Sequence, residues 1–250
     1  MVAPLSVFTT AILPIVAVGG VGYLLGSARD VDTDALNAIV VYVLAPALVF
    51  HSLATTTLAG STLARITAAV VLFHVVAILV AEAAGRAVGA SRTALAALIL
   101  VTAFPNTGNY GIPVSNFAFG ATGRATAVVC LSVQAVLVYT VGVYIAGRGS
   151  VGGVSDGLRR VFSVPLAYAV VAALVARWLG VVPPVESTVM STLQLVGDSA
   201  IPVMLLLVGI QLARTDVGST LSAVGGAVGL KMVLAPVVGA GVALAVGFSD

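Results

Sequence analysis

Apolar residues dominate this chain in long runs, interrupted by short stretches of glycine, charge and turn residues. The interruptions leave eight apolar segments, at residues 5–27, 36–58, 62–84, 93–119, 125–147, 161–180, 190–212 and 220–248. A helix needs about 20 apolar residues to cross a hydrocarbon core roughly 30 Å thick, so each segment is predicted to be a transmembrane α-helix. The fourth is the least regular, and at about 40 Å of ideal helix it exceeds a straight crossing. The first has no basic n-region and is longer than the apolar core of a signal peptide, so it reads as a span. Residues 147–160, rich in glycine, serine and charge, form the sizeable hydrophilic connection and read as a joint between two halves.

Composition supports an all-α polytopic membrane protein. Of 250 residues, 60% are hydrophobic and only 8% charged, with a mean hydropathy of +1.18. A soluble domain carries about 25% charged residues because its surface must be solvated. The net charge of +2 comes from scattered arginines without a basic run, so nothing marks a nucleic-acid partner. The single cysteine, Cys130, excludes an internal disulfide and any cysteine-based metal cluster, and its apolar run makes it a packing residue. No phosphate-cradling G-x-x-x-x-G-K-[ST], no H-E-x-x-H and no serine–histidine arrangement occurs, so neither a cofactor nor an enzymatic activity is expected.

Arginines sort by side. Connections after odd-numbered segments hold Arg29, Arg86, Arg92, Arg148, Arg159, Arg160 and Arg214, against Arg65, Arg124 and Arg177 after even-numbered ones. This asymmetry predicts an N-terminus outside the cell membrane and a cytoplasmic linker at residues 148–160. The order of segments also repeats. Pro14 and Pro165 open segments one and six, Pro46 and Pro202 sit centrally in segments two and seven, and segments three and eight follow at similar offsets. A period of five spans makes the second unit enter the membrane in the opposite sense, as an inverted repeat. The predicted organisation is a first five-helix repeat at 1–147, the linker at 148–160, and a second repeat at 161–250 cut short after three helices.

One stretch stands apart: Phe104-Pro105-Asn106-Thr107-Gly108-Asn109-Tyr110-Gly111-Ile112-Pro113. Proline removes a donor and clashes with the preceding turn, glycine tolerates the dihedrals of a break, and Phe104 before proline is biased away from helix. A discontinuous fourth helix is therefore expected, with half-helices at 93–103 and 112–119 and unwinding between Pro105 and Pro113. Unwound backbone at membrane depth persists only where it is buried or lines a water-filled cavity. The second half-helix would point its N-terminus, with partial positive charge, into that cavity. Asn106, Thr107, Asn109, Ser115 and Asn116 add neutral hydrogen-bonding groups suited to an anionic or polar solute. The bland alternative is a kink or a loop outside the membrane.

Asn-Thr-Gly-Asn-Tyr-Gly-Ile-Pro at 106–113, followed by Phe119-Gly120 and Ala125, resembles the fourth helix of the auxin efflux carrier family of membrane transporters. Looser resemblance lies in the stretch from Tyr42 through Pro46 to Phe50, in Asp198 through Pro202 and on to Leu207–Ile210, and around Lys231–Pro236. The resemblance covers nearly the whole chain. It implies ten helices in two inverted five-helix repeats, with helices four and nine broken and crossing at mid-membrane. It also implies a scaffold domain, a transport domain and elevator-type movement of carboxylate-bearing solutes. By that likeness Pro105 marks the crossing and Asn106 and Asn109 face the substrate, with Thr107, Gly108, Gly111 and Pro113 in the same motif. The chain departs from the pattern in lacking helices nine and ten.

Few polar residues remain inside spans. Lys231 is expected to neutralise an anionic substrate, to pair with Asp198, or to snorkel to the cytoplasmic edge. Asp198 could hold a proton or cation, or make an interhelical hydrogen bond. His51, His74 and Gln134 read as packing or helix–helix contacts, and Glu82 with Arg86 as an interfacial pair. The favoured reading is a secondary transporter of small organic anions in the lipid bilayer. The competing one is a truncated, non-transporting relative that needs a partner, a homodimer included, to cover its broken helix. In a Cys130→Ala background, cysteines placed at Ser150 and Thr122 should label from opposite sides of the membrane. Labelling of position 150 by an impermeant reagent outside intact cells would reverse the orientation.

Overall fold

A computed structural model describes Thr9 and residues 12–146, 165–215 and 217–247. These residues are helical and, among them, contain no strand. The helices are α1 (Leu13–Ala28), α2 (Thr33–Ile39), α3 (Ala45–Thr55), α4 (Gly60–Ala87), α5 (Arg92–Ala103), α6 (Ile112–Leu137), α7 (Val143–Ala146), α8 (Pro165–Leu179), α9 (Thr188–Ala213) and α10 (Val217–Ala245). The expected linker at 148–160 lies outside the described residues. Among the described residues, five stretches are long and apolar enough to cross a membrane: Thr33–Thr55, Gly60–Ala87, Arg92–Ala146, Thr188–Ala213 and Gly225–Ala245. Leu13–Ala28 and Pro165–Leu179 are shorter apolar helices.

The helix boundaries follow from local chemistry. Asp32 accepts the N–H groups of Asp34 and Ala35, both at 3.0 Å, and so caps α2. Ser91 and Ser187 cap α5 and α9 in the same way. Pro46 stands in the first turn of α3. A wide turn at Val40–Leu44 precedes it, where the Ala45 N–H reaches back five residues to Val40. The boundary expected between segments four and five falls inside α6, where two helices meet at a break. The chain bends there at Gly120, whose φ of 62° and ψ of −147° suit a residue without a Cβ.

Two compact units arise, each assembled from distant parts of the chain. The first comprises Met1–Leu58, Asn106–Ser132 and Phe162–Thr215, the second Ala59–Pro105, Val133–Val161 and Asp216–Asp250. In the first, α1 packs on α9, α3 on α8, and α9 on α3. Its buried residues include Leu48, Val49 and Leu53 of α3 with Met190, Met204, Leu205 and Ile210 of α9. In the second, α4, α5 and α10 pack on one another, and Ala81, Ala96, Ile99 and Ile145 form its core with Ile78, Leu95 and Leu230 around them. Large apolar side chains face outward in both, among them Leu24, Leu79, Leu195, Val233 and Val237. That pattern suits a surface solvated by lipid rather than water.

Lipid gives apolar side chains no reason to leave it, so helices in a bilayer associate through close backbone approach at small residues. The contact between α1 and α9 is of this kind. A Cβ on Gly209 would collide with the backbone of Gly19 and Tyr23, and one on Gly22 with the backbone of Leu206. Gly209→Leu should therefore lower stability by about 1–3 kcal/mol, the usual cost of overpacking, seen as an earlier thermal transition in detergent. Gly20→Ala, which meets nothing within 4 Å, should melt like the parent protein. Equal melting of both variants would show that this packing is unimportant.

Candidate functional site

The fourth apolar segment is broken where proline forbids the helical ladder. Phe104 ends α5 in an extended conformation, φ −108° and ψ 98°, while its N–H makes the last helical bond to Leu100 at 3.1 Å. Pro105 has no N–H to give. Asn106 then leaves the helical region at φ −77° and ψ 73°, and its side-chain Oδ1 accepts the Asn109 N–H at 3.1 Å. Its backbone oxygen accepts the Gly111 N–H at 3.0 Å. These two bonds open a wide turn at Thr107–Gly111 that runs directly into α6.

The unwinding is thus shorter than the expected span from Pro105 to Pro113. It is confined to residues 104–106, because Asn106 caps the following turn from both its oxygens. Gly108 and Gly111 lie within that turn, where the Thr107 side chain approaches Gly111, and the turn packs against α9. Asn106 and Tyr110 are exposed, Thr107, Gly108, Asn109 and Gly111 half-buried, and Pro113 buried in the first turn of α6.

On the α5 side of the break, side chains take over from the missing backbone donors. Lys231 Nζ of α10 donates to the Val101 carbonyl at 2.8 Å and lies 3.4 Å from that of Phe104. Gln134 Nε2 donates to the Pro105 carbonyl at 2.7 Å. For Lys231 the sequence leaves open a solute, Asp198 or the cytoplasmic edge, and here its amine donates to carbonyl oxygens. Asp198 is held instead by the Arg124 guanidinium. Sequence reasoning gave Arg124 only a weight in the topology count. The one signal pointing further was Asp198 itself, a carboxylate inside a span that requires a cation. Gln134 carried a similar signal, because a lone amide in an apolar run needs a partner.

Other polar groups have local roles. Arg177 of α8 donates to the carbonyls of Leu53 at 3.1 Å and Leu58 at 3.2 Å, where α3 runs out. Glu82 and Arg86 pair at 2.6 Å, one helical turn apart. His74 is buried, with Nδ1 2.7 Å from the Val70 carbonyl and its ring against Phe73 and Phe104. His51 and Ser52 are buried on α3, and Cys130 is a half-buried free thiol. Among the described residues, no group of three or more histidine, cysteine, aspartate or glutamate side chains could hold a metal ion.

A helical chain with an outward apolar surface and a capped break inside its fourth apolar segment has the features of a multi-pass membrane transporter. Comparison with curated proteins found no match. Comparison with family models found one, described as membrane transport protein, which matches residues 7–155 and 154–250. The match extends over nearly the whole chain, and the protein belongs to this membrane transport family, that of the auxin efflux carriers.

Proposed function

We propose that the chain is a secondary transporter that moves small organic anions, carboxylates above all, across the cell membrane by elevator-type alternating access. The observation that carries the reading is the broken segment. The wide turn at Thr107–Gly111 begins the helix that continues as α6, and its leading N–H groups, which precede the first backbone bonds from Gly111 and Ile112, gather partial positive charge. Such a terminus binds carboxylate or phosphate without a fixed cation. Asn106, Thr107 and Asn109 contribute neutral donors at the same turn, Pro105 and Pro113 bound it, and Gly108 and Gly111 leave it free of bulk. The pairing of Asp198 with Arg124 neutralises a carboxylate on α9 that would otherwise repel an anion.

The internal repeat is part of the same proposal. An exchange of segments one with six and two with seven would turn the contact of α1 with α9 into that of α8 with α3. Both contacts are present in the first unit. This reciprocity supports repeats at 1–147 and 161–250; a cytoplasmic linker at 148–160 and an outside N-terminus complete the proposal on the arginine asymmetry alone. Each compact unit draws helices from both repeats, which offers the two bodies that an elevator needs.

Counterflow of labelled short mono- and dicarboxylates in proteoliposomes tests the reading. Asn109→Ala should weaken solute binding by about 1–3 kcal/mol, the cost of leaving a buried partner unmet. Asn106→Asp keeps the oxygen that caps the turn but adds negative charge, so it should abolish anion uptake while the protein still folds. Unchanged apparent affinity in both variants would remove the broken segment from the binding site.

A further inference from the structure

The end of α5 carries an arrangement that solute recognition alone does not explain. Where broken helices build transport sites, unwound carbonyls and half-helix C-termini hold the coupling cation, because the helix dipole is negative there. The carbonyls of Val101, Phe104 and Pro105 form such an end, beyond the reach of helical donors. Each already has a nitrogen from the chain itself. Lys231 Nζ serves Val101 and Phe104 at 2.8 and 3.4 Å, and Gln134 Nε2 serves Pro105 at 2.7 Å.

Two further observations bear on the amine. Of the 11 basic residues, Lys231 alone is a lysine. An ammonium is a compact point charge on a flexible stem, whereas a guanidinium is a planar fork matched to carboxylates and phosphates. The position facing backbone oxygens therefore holds the side chain closest to a simple monovalent ion. In the same turn of α5, Thr102 is 2% exposed and its Oγ1 has no hydrogen-bond partner among the described residues. Thr102 follows Val101 directly in the chain, so the last turn of α5 also holds a buried oxygen without a hydrogen-bond partner.

We propose that Lys231 is a tethered cation, filling the position that a sodium ion would take at the end of α5. The broken helix then needs no free cation to hold its C-terminal end. The inference rests on the transporter reading for its meaning: a chain that carries its own ion there moves an anionic solute without a sodium ion bound at that place. Removing the amine should leave the Val101 and Phe104 carbonyls available to a small cation.

Thermal melting of the purified full chain in detergent tests this, in sodium chloride and in choline chloride at equal ionic strength. The wild-type midpoint should be the same in both salts. Lys231→Met should melt roughly 5 °C lower in choline, as expected for a lost charge-assisted hydrogen bond, and sodium should restore the midpoint saturably. In a Cys130→Ala background, Lys231→Cys treated with 2-aminoethyl methanethiosulfonate regains an ammonium and should recover salt-independent melting. The neutral methyl methanethiosulfonate should give no recovery. The proposal is overturned if the wild type itself gains stability saturably with sodium, or if Lys231→Met melts like wild type in choline. Equal effects of the two reagents would also overturn it, as would failure of Lys231→Met to fold in either salt. None of these readouts involves uptake, so their failure leaves the transport reading to stand or fall on the asparagine variants.

Discussion

A backbone carbonyl without a donor costs several kcal/mol in hydrocarbon, and this constraint decides where the chain keeps its few polar side chains. A proline inside a span, or a helix that stops short, leaves such carbonyls behind. At the end of α5 they are met by Lys231 and Gln134, and at the end of α3 by Arg177. On the far side of the α5 break, Asn106 closes the next turn with its own oxygens. Groups that look like isolated chemistry in the sequence are therefore mostly answers to a backbone need. The half-buried Asn109 side chain at the break has no such backbone duty, and it is the group that the proposed solute would meet.

The same economy governs packing. Water drives a soluble core together, but in lipid the contacts must come from shape. Glycines on α1 and α9 let two backbones touch, and a glycine at 197 does the same between α9 and α3. The apolar side chains displaced from these interfaces face outward. The contact pairs join helices from early and late in the chain, so neither compact unit is a continuous piece of sequence.

Much of this was legible in advance. Run length gave the apolar helices, and the prolines and glycines of 105–113 located the break, because both rest on covalent properties of single residues. What escaped were pairings and extents. No rule of spacing links Arg124 to Asp198 across 74 positions, or sends Lys231 to a carbonyl 130 residues away, because those contacts exist only after helices from different parts of the chain have met. The unwinding was overestimated for a related reason. Asn106 was read as a group for the solute, while its oxygens also rebuild the helix immediately. The break at Gly120, by contrast, falls in the short polar gap that separates segments four and five.

The wide turn at Val40–Leu44 has a consequence for length. It holds one residue more than an ordinary helical turn, since the Ala45 N–H reaches five residues back instead of four. Deleting one residue within it would restore regular spacing and leave the side chains downstream on their present faces, whereas a deletion in the regular helix that follows would rotate what comes after by about 100°. Leu48, Val49 and His51, now buried, would keep their places in the first case and leave them in the second. The wide turn is thus slack in the reading frame of the helix, a place where the loss of one residue need not rewrite the address of every side chain after it.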